Sequence, residues 1–158
     1  MPHLMTKADA PTAIFGSWDG CISMLAVMVG LAAAHHLAGA VGAGTAGAVG
    51  GMFSMATGQY QSTDRAVPRT QRVREAVVMG LATGAGGMLP VAPYLLPLSW
   101  EWQTLICVNV AFVLATVVAY VKAHTDDDPA GLTYPELAIS YMLLAVTAAA
   151  TYAIGTAF

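Results

Sequence analysis

Basic residues are almost missing from this chain: six lysines and arginines in 158 residues, confined to three places. They are Lys7, the cluster Arg65, Arg69, Arg72 and Arg74, and Lys122. A soluble domain is roughly 25% charged and spreads that charge over its surface. Here only 9% of residues are charged, which excludes an ordinary water-facing fold. The arginines lack interleaved aromatics, so a nucleic-acid surface is excluded as well. Cysteine is limited to Cys21 and Cys107. On the topology below these lie near opposite faces of a bilayer, so no disulfide is expected. Each reads as a small apolar helix residue, with a secondary reading of Cys21, close to Asp19, as a soft metal ligand. No Ser-His-Asp set, CxxC pair, phosphate-binding loop or dinucleotide fingerprint occurs, so neither an enzyme nor a resident cofactor is expected. The first apolar run is too long for the core of a cleavable signal peptide and reads as a retained helix.

What the chain does have is apolar length. It is 57% hydrophobic with a mean hydropathy of +0.65. Five stretches of about 20 residues fit between the basic positions, at 15–36, 41–60, 75–96, 103–120 and 135–158. The fold class expected is therefore an all-α integral membrane protein with five transmembrane helices. Residues 1–14 form a cytoplasmic segment and 15–158 a single transmembrane domain. The positive-inside rule places the amino terminus in the cytoplasm and the carboxyl terminus outside. Pro11-Thr12 marks the first helix start. Span two carries a stripe of Gly42, Ala46, Gly50, Ser54 and Gly58, with Ala43, Gly47 and Gly51 beside it. Small residues at this spacing let backbones approach, so span two is expected to be the most enclosed helix. Pro90, Pro93 and Pro97 predict a distorted outer half of span three. Trp100 and Trp102 read as outer-interface anchors. Thr133, Pro135 and Glu136 give a capping box at the start of span five.

Asp19 is the residue with the strongest claim to function. A carboxylate in a membrane helix costs roughly 2.5–3.5 kcal/mol at the centre and usually marks an ion path or proton relay. The alternative is a first-turn aspartate complementing the helix dipole. Ser23, one turn further in, shares its face. Met52, Met55 and Gln59 share one face of span two. Counting from the expected helix starts at ~1.5 Å per residue puts Asp19 at a depth between Gln59 and Met55. Carboxylate, thioether and amide carbonyl together suit Fe²⁺ or Mn²⁺ better than Mg²⁺ or Ca²⁺. Core packing is the alternative for each methionine. His35 and His36 point about 100° apart on a helix and read as interface polarity. His124 with Asp126, Asp127 and Asp128 reads as a solvated acidic loop. Asn109 is expected to bond a neighbouring helix.

Asp19-Gly20, together with the run Gly51-Met52-Phe53-Ser54-Met55-Ala56-Thr57-Gly58-Gln59-Tyr60-Gln61-Ser62, resembles the vacuolar iron transporter family. Its members have an Asp-Gly pair in the first helix and a second helix ending near Ser-Met-x-x-Gly-Glu-Tyr-x-Ser. Ser54, Met55, Gly58, Tyr60 and Ser62 match that pattern, and Gln59 replaces the glutamate. Leu89-Pro90 and Pro93-Tyr94 are similar to the Pro-rich third helix. The resemblance implies a homodimer that moves Fe²⁺, and in some members Mn²⁺, out of the cytoplasm in exchange for protons. It also implies a path at the dimer interface, lined by Asp19 and Met55. Only residues 61–74 join spans two and three, which corresponds to a short branch without the Glu-rich cytoplasmic metal-binding domain.

The leading expectation is a transporter with Asp19, Met55, Gln59, Met52 and Ser23 around the metal, and with divalent metal, protons and the bilayer as its partners. The alternative is a non-transporting membrane scaffold subunit that keeps the family fold. The Ala, Gly and Val bias favours a bacterial inner membrane over a vacuolar one.

Overall fold

Pro11 lies in the first turn of α1 (Ala10–Ala33), where its missing N–H leaves no bond unmade. The helix therefore begins earlier than residue 15. At its far end His35 adopts φ 57°, a left-handed conformation that histidine reaches more readily than most residues. The His36 amide then bonds the Leu31 carbonyl at 2.9 Å and the His35 amide bonds Ala32 at 3.1 Å. This is a Schellman closure, and it stops the helix at Ala33. A 3₁₀ turn, Leu37–Gly39, reverses the chain into α2 (Ala40–Ser62). After it come α3 (Arg69–Val91), a 3₁₀ turn Ala92–Leu95, α4 (Trp100–Thr125) and α5 (Tyr134–Gly155).

This computed structural model describes residues 9–125 and 134–157. Among them there are five α-helices and no strand. Lys7, Asp126, Asp127, Asp128, Thr133 and Phe158 lie outside the described residues, as do the side chains of His124, Pro135 and Glu136. The expected acidic loop and capping box fall there.

Four helices are long and apolar enough to cross a membrane: Ala10–Ala33, Arg69–Leu95, Trp100–Lys122 and Leu137–Gly155. The chain is an all-α integral membrane protein. Its outward surface agrees, since Val113, Val117, Met142, Val146 and Ile154 are all exposed on α4 and α5, as a lipid-facing surface requires. The Gly- and Ala-rich α2 is too weakly hydropathic to join the four. It nevertheless runs antiparallel along both neighbours, with Met24 and Met28 of α1 against Gly47 and Gly44, and Met52 against Gly80 and Gly84 of α3.

The first helix forms the centre of the bundle and touches every other helix. Its closest approach is to α3. A β-carbon at Gly20 would collide with the Thr83 carbonyl, and one at Gly86 with the Ser17 carbonyl, so only glycine permits this contact. Tyr94, in the 3₁₀ turn after Pro90, ties the outer end together. Its hydroxyl reaches the Thr104 hydroxyl at 3.0 Å and the Met28 carbonyl at 3.4 Å. The prolines thus do break the end of α3, with Pro90 inside the last turn and Pro93 in the 3₁₀ turn.

Three expectations need correction. The second helix is not the most enclosed: only Ala40, Gly44 and Ala48 are buried, and the stripe Gly42, Ala46, Gly50, Ser54, Gly58 is exposed along its whole length. Small-residue spacing marks a surface for close approach but not which partner takes it. Asn109 does not bridge helices; its Nδ2 donates to the Leu105 carbonyl of its own helix at 2.7 Å. Cys21 and Cys107 are free thiols in one buried cluster, near enough to interact electrostatically, rather than near opposite faces. Trp102 is exposed, as an interface anchor should be, whereas Trp100 is half-buried and packs edge-on against His35 with ring centroids 5.4 Å apart.

Candidate functional site

Because α1 starts at Ala10, Asp19 stands more than two turns inside it and not in its first turn. The helix dipole acts mainly within the terminal turn, so dipole compensation does not account for this carboxylate. Asp19 is half-buried, and no hydrogen bond or ion pair to its side chain is found among the described residues. Ser23, one turn further on, is exposed and equally unbonded. Both line a cavity of about 30 Å³ between α1, α2 and α3, whose other walls include Met24, Gly47, Gly51 and Thr83.

The register of α1 against α2 decides what Asp19 faces. With Met28 at Gly44 and Met24 at Gly47, Asp19 comes opposite Gly47 and Gly51, one turn deeper than the expected position between Met55 and Gln59. The turn is the cause of that shift: α1 stops at Ala33 and α2 begins at Ala40, rather than at the expected 36 and 41. Met55 follows Gly51 by one turn on the same face of α2 and is half-buried. Met52 turns instead toward α3; a β-carbon at Gly84 would lie 3.3 Å from its sulfur. The structure thus brings Asp19 and Ser23 together, sets Met55 and Gln59 one and two turns beyond Gly51 on α2, outside the cavity lining, and directs Met52 away.

The end of α2 is fastened by the backbone of the motif. The Gln59 carbonyl accepts from the Thr63 hydroxyl at 2.7 Å, the Thr63 amide at 3.1 Å and the Ser62 hydroxyl at 3.2 Å. Arg72 Nη2 donates to the Tyr60 carbonyl at 2.9 Å, and its guanidinium stands 4.5 Å from the Tyr60 ring centre. Tyr60 and Ser62 therefore have structural employment: they close α2 and hold the basic turn against it.

The sequence profile of the VIT family matches residues 11–67, which span α1, α2 and the turn beyond. The likeness to the vacuolar iron transporter family thus covers the first two helices. No curated protein and no solved structure gives a significant match to the chain. The family is one of metal-ion transporters. The matched segment holds every candidate ligand, Asp19, Ser23, Met52, Met55 and Gln59, whereas Thr83 lies beyond it. Among the described residues no three of His, Cys, Asp and Glu converge to hold a metal. A metal at this vacuolar iron transporter-like site would rest on one carboxylate with thioether and neutral oxygen donors.

Reading the sequence residue by residue missed Met24, Gly47, Gly51 and Thr83 around the cavity. Met24 had no charge or motif to mark it. Its spacing to Met28, i and i+4 on one face, is the only trace, and core methionines produce the same pattern. Asp9 was missed too. Its carboxylate is 1% exposed and accepts from Arg74 Nη2 at 2.9 Å, fixing the start of α1 to α3.

Proposed function

We propose that this protein is a dimeric secondary transporter that exports Fe²⁺ or Mn²⁺ from the cytoplasm in exchange for protons. The observation that carries the reading is Asp19: a carboxylate deep in a membrane-length helix, with no partner among the described residues, facing a groove between α1 and α2. Such a group is costly in a bilayer and is a functional site by default. Metal enters at the inner ends of α1 and α2. Asp19 supplies the charge and Met55 the thioether, while Gln59 offers a weaker carbonyl. Protonation of Asp19 on the more acidic side removes the charge that holds the ion and releases it. The amino terminus is cytoplasmic, with the Arg65–Arg74 region on the same side.

A second copy covers α2. Its outward stripe of Gly42, Ala46, Gly50, Ser54 and Gly58 is suited to close helix contact, and Gly42, Gly50 and Gly58 have nothing within 4 Å of where a β-carbon would stand. Docking there would place the two Asp19 grooves along a shared path.

The test is Fe²⁺ and Mn²⁺ uptake into inside-out proteoliposomes, with and without an imposed proton gradient. Gradient-dependent uptake that Asp19→Asn abolishes supports the exchanger. No uptake of either metal by the wild type would favour the scaffold reading, which the replacement of a glutamate by Gln59 also favours.

A further inference from the structure

Three donors that line the cavity come from α1. Asp19 and Ser23 are one turn apart on one face, and Met24 follows Ser23 with its thioether turned to α2. The position of that sulfur is given by its neighbour: a β-carbon at Gly47 would stand 2.9 Å from the Met24 Sδ, so the thioether packs directly on the Gly47 backbone. On the other side Gly51 keeps the cavity open. A β-carbon there would meet one atom within 4 Å, the Thr83 methyl at 3.6 Å, and would otherwise project into the void. The Thr83 hydroxyl is engaged elsewhere, donating to the Met79 carbonyl at 2.9 Å.

We propose that this cavity is a cation station within a single protomer, with the Asp19 carboxylate, the Ser23 hydroxyl and the Met24 thioether as its donors and Gly51 as the residue that sets its size. The inference rests on the metal-transport reading above and differs from it in the thioether, Met24 of the same helix in place of Met55. A cavity of about 30 Å³ has room for one or two water-sized groups, so an ion seated there takes protein donors in place of part of its hydration shell and keeps water on the exposed Ser23 side. One charge, one neutral oxygen and one soft sulfur suit a divalent transition metal and disfavour Mg²⁺ and Ca²⁺, which take oxygen donors. An ion passing along the groove would meet Met55 first and Met24 one turn deeper, with Asp19 within reach of both stages.

The experiment is calorimetric titration of Co²⁺ into the purified full-length protein, comparing wild type with Met24→Leu, Gly51→Ala, Met55→Leu and Asp19→Asn. Met24→Leu keeps the volume and removes the sulfur, the kind of swap a core tolerates best. Gly51→Ala fits its surroundings and fills the void, and it decides the matter alone if Met24→Leu fails to fold. We expect each to weaken Co²⁺ binding by about tenfold or more, at least the loss seen when a metal site's supporting shell is removed. If both bind Co²⁺ like wild type while Met55→Leu and Asp19→Asn lose it, the station is overturned and the transport reading stands. If wild type binds no Co²⁺, or Asp19→Asn binds as well as wild type, both are overturned.

Discussion

Arg74 of α3 donates to Asp9, the residue just before α1, at 2.9 Å, and the carboxylate it holds is 1% exposed while the arginine side chain is 43% exposed. The pair joins the amino-terminal ends of the two helices that pack most closely through glycine. Arg74→Ala leaves a buried carboxylate without this partner and should destabilise the fold by about 1–3 kcal/mol. Asp9→Asn puts a neutral amide in the buried position and leaves the charge on the more exposed partner, and should cost less. Thermal unfolding of the two variants, read side by side, checks the order.

Glycines in this chain fall into two groups that substitution should separate. Gly20→Ala and Gly86→Ala drive a β-carbon into the backbone of the facing helix, which cannot yield as a side chain would. Each should cost about 1–3 kcal/mol or more. Gly50→Ala and Gly58→Ala meet nothing within 4 Å and should leave the single chain's fold intact. Melting temperatures of the four variants in detergent test the division.

On the proposed dimer, the exposed stripe of α2 carries the interface. Ala46→Leu should fold normally and shift the protein from dimer toward monomer, since a bulky residue keeps the backbones apart. Light scattering of the eluting species gives the mass directly. An unchanged dimer would mean another face makes the contact.

Gln59 lies half-buried two turns beyond Gly51, with its backbone carbonyl already capping α2. Gln59→Glu should leave that cap in place and add a second negative charge to the metal path. The KM for Fe²⁺ or Mn²⁺ uptake should fall, with stability little changed. If KM is unaffected, the ion does not pass this side chain.

Arg72 fastens α2 by both a hydrogen bond and contact with the Tyr60 ring. Arg72→Lys keeps the charge and loses the planar fork. Hydrogen exchange at Gln59 to Thr63 should quicken, while the rest of α2 exchanges as before.

The membrane class and the helix count were legible because charge exclusion and apolar length are set by composition, whatever the packing. Asp19 was legible for the same reason: a lone carboxylate in an apolar run is conspicuous. Its opposite neighbours were not. They depend on register, and the stop of α1 at Ala33 shifts Asp19 from a level between Met55 and Gln59 to that of Gly51. The facing of α2 was misjudged because a stripe of small residues reads the same whether the partner is in the same chain or in another. Met24 had no signature beyond its spacing to Met28; its contact with Gly47 exists only once two helices are docked.

The low hydropathy of α2 also bears on how the chain reaches its membrane. A segment so rich in glycine and alanine gains little from leaving water for lipid, and would partition poorly by itself during synthesis. The three-residue turn Leu37–Gly39 binds it to the strongly apolar α1, and the two helices are already in register across Met24, Met28, Gly44 and Gly47. α1 and α2 are therefore built to enter the bilayer as one hairpin, the helix bearing Asp19 being joined directly to the surface against which its cavity is formed.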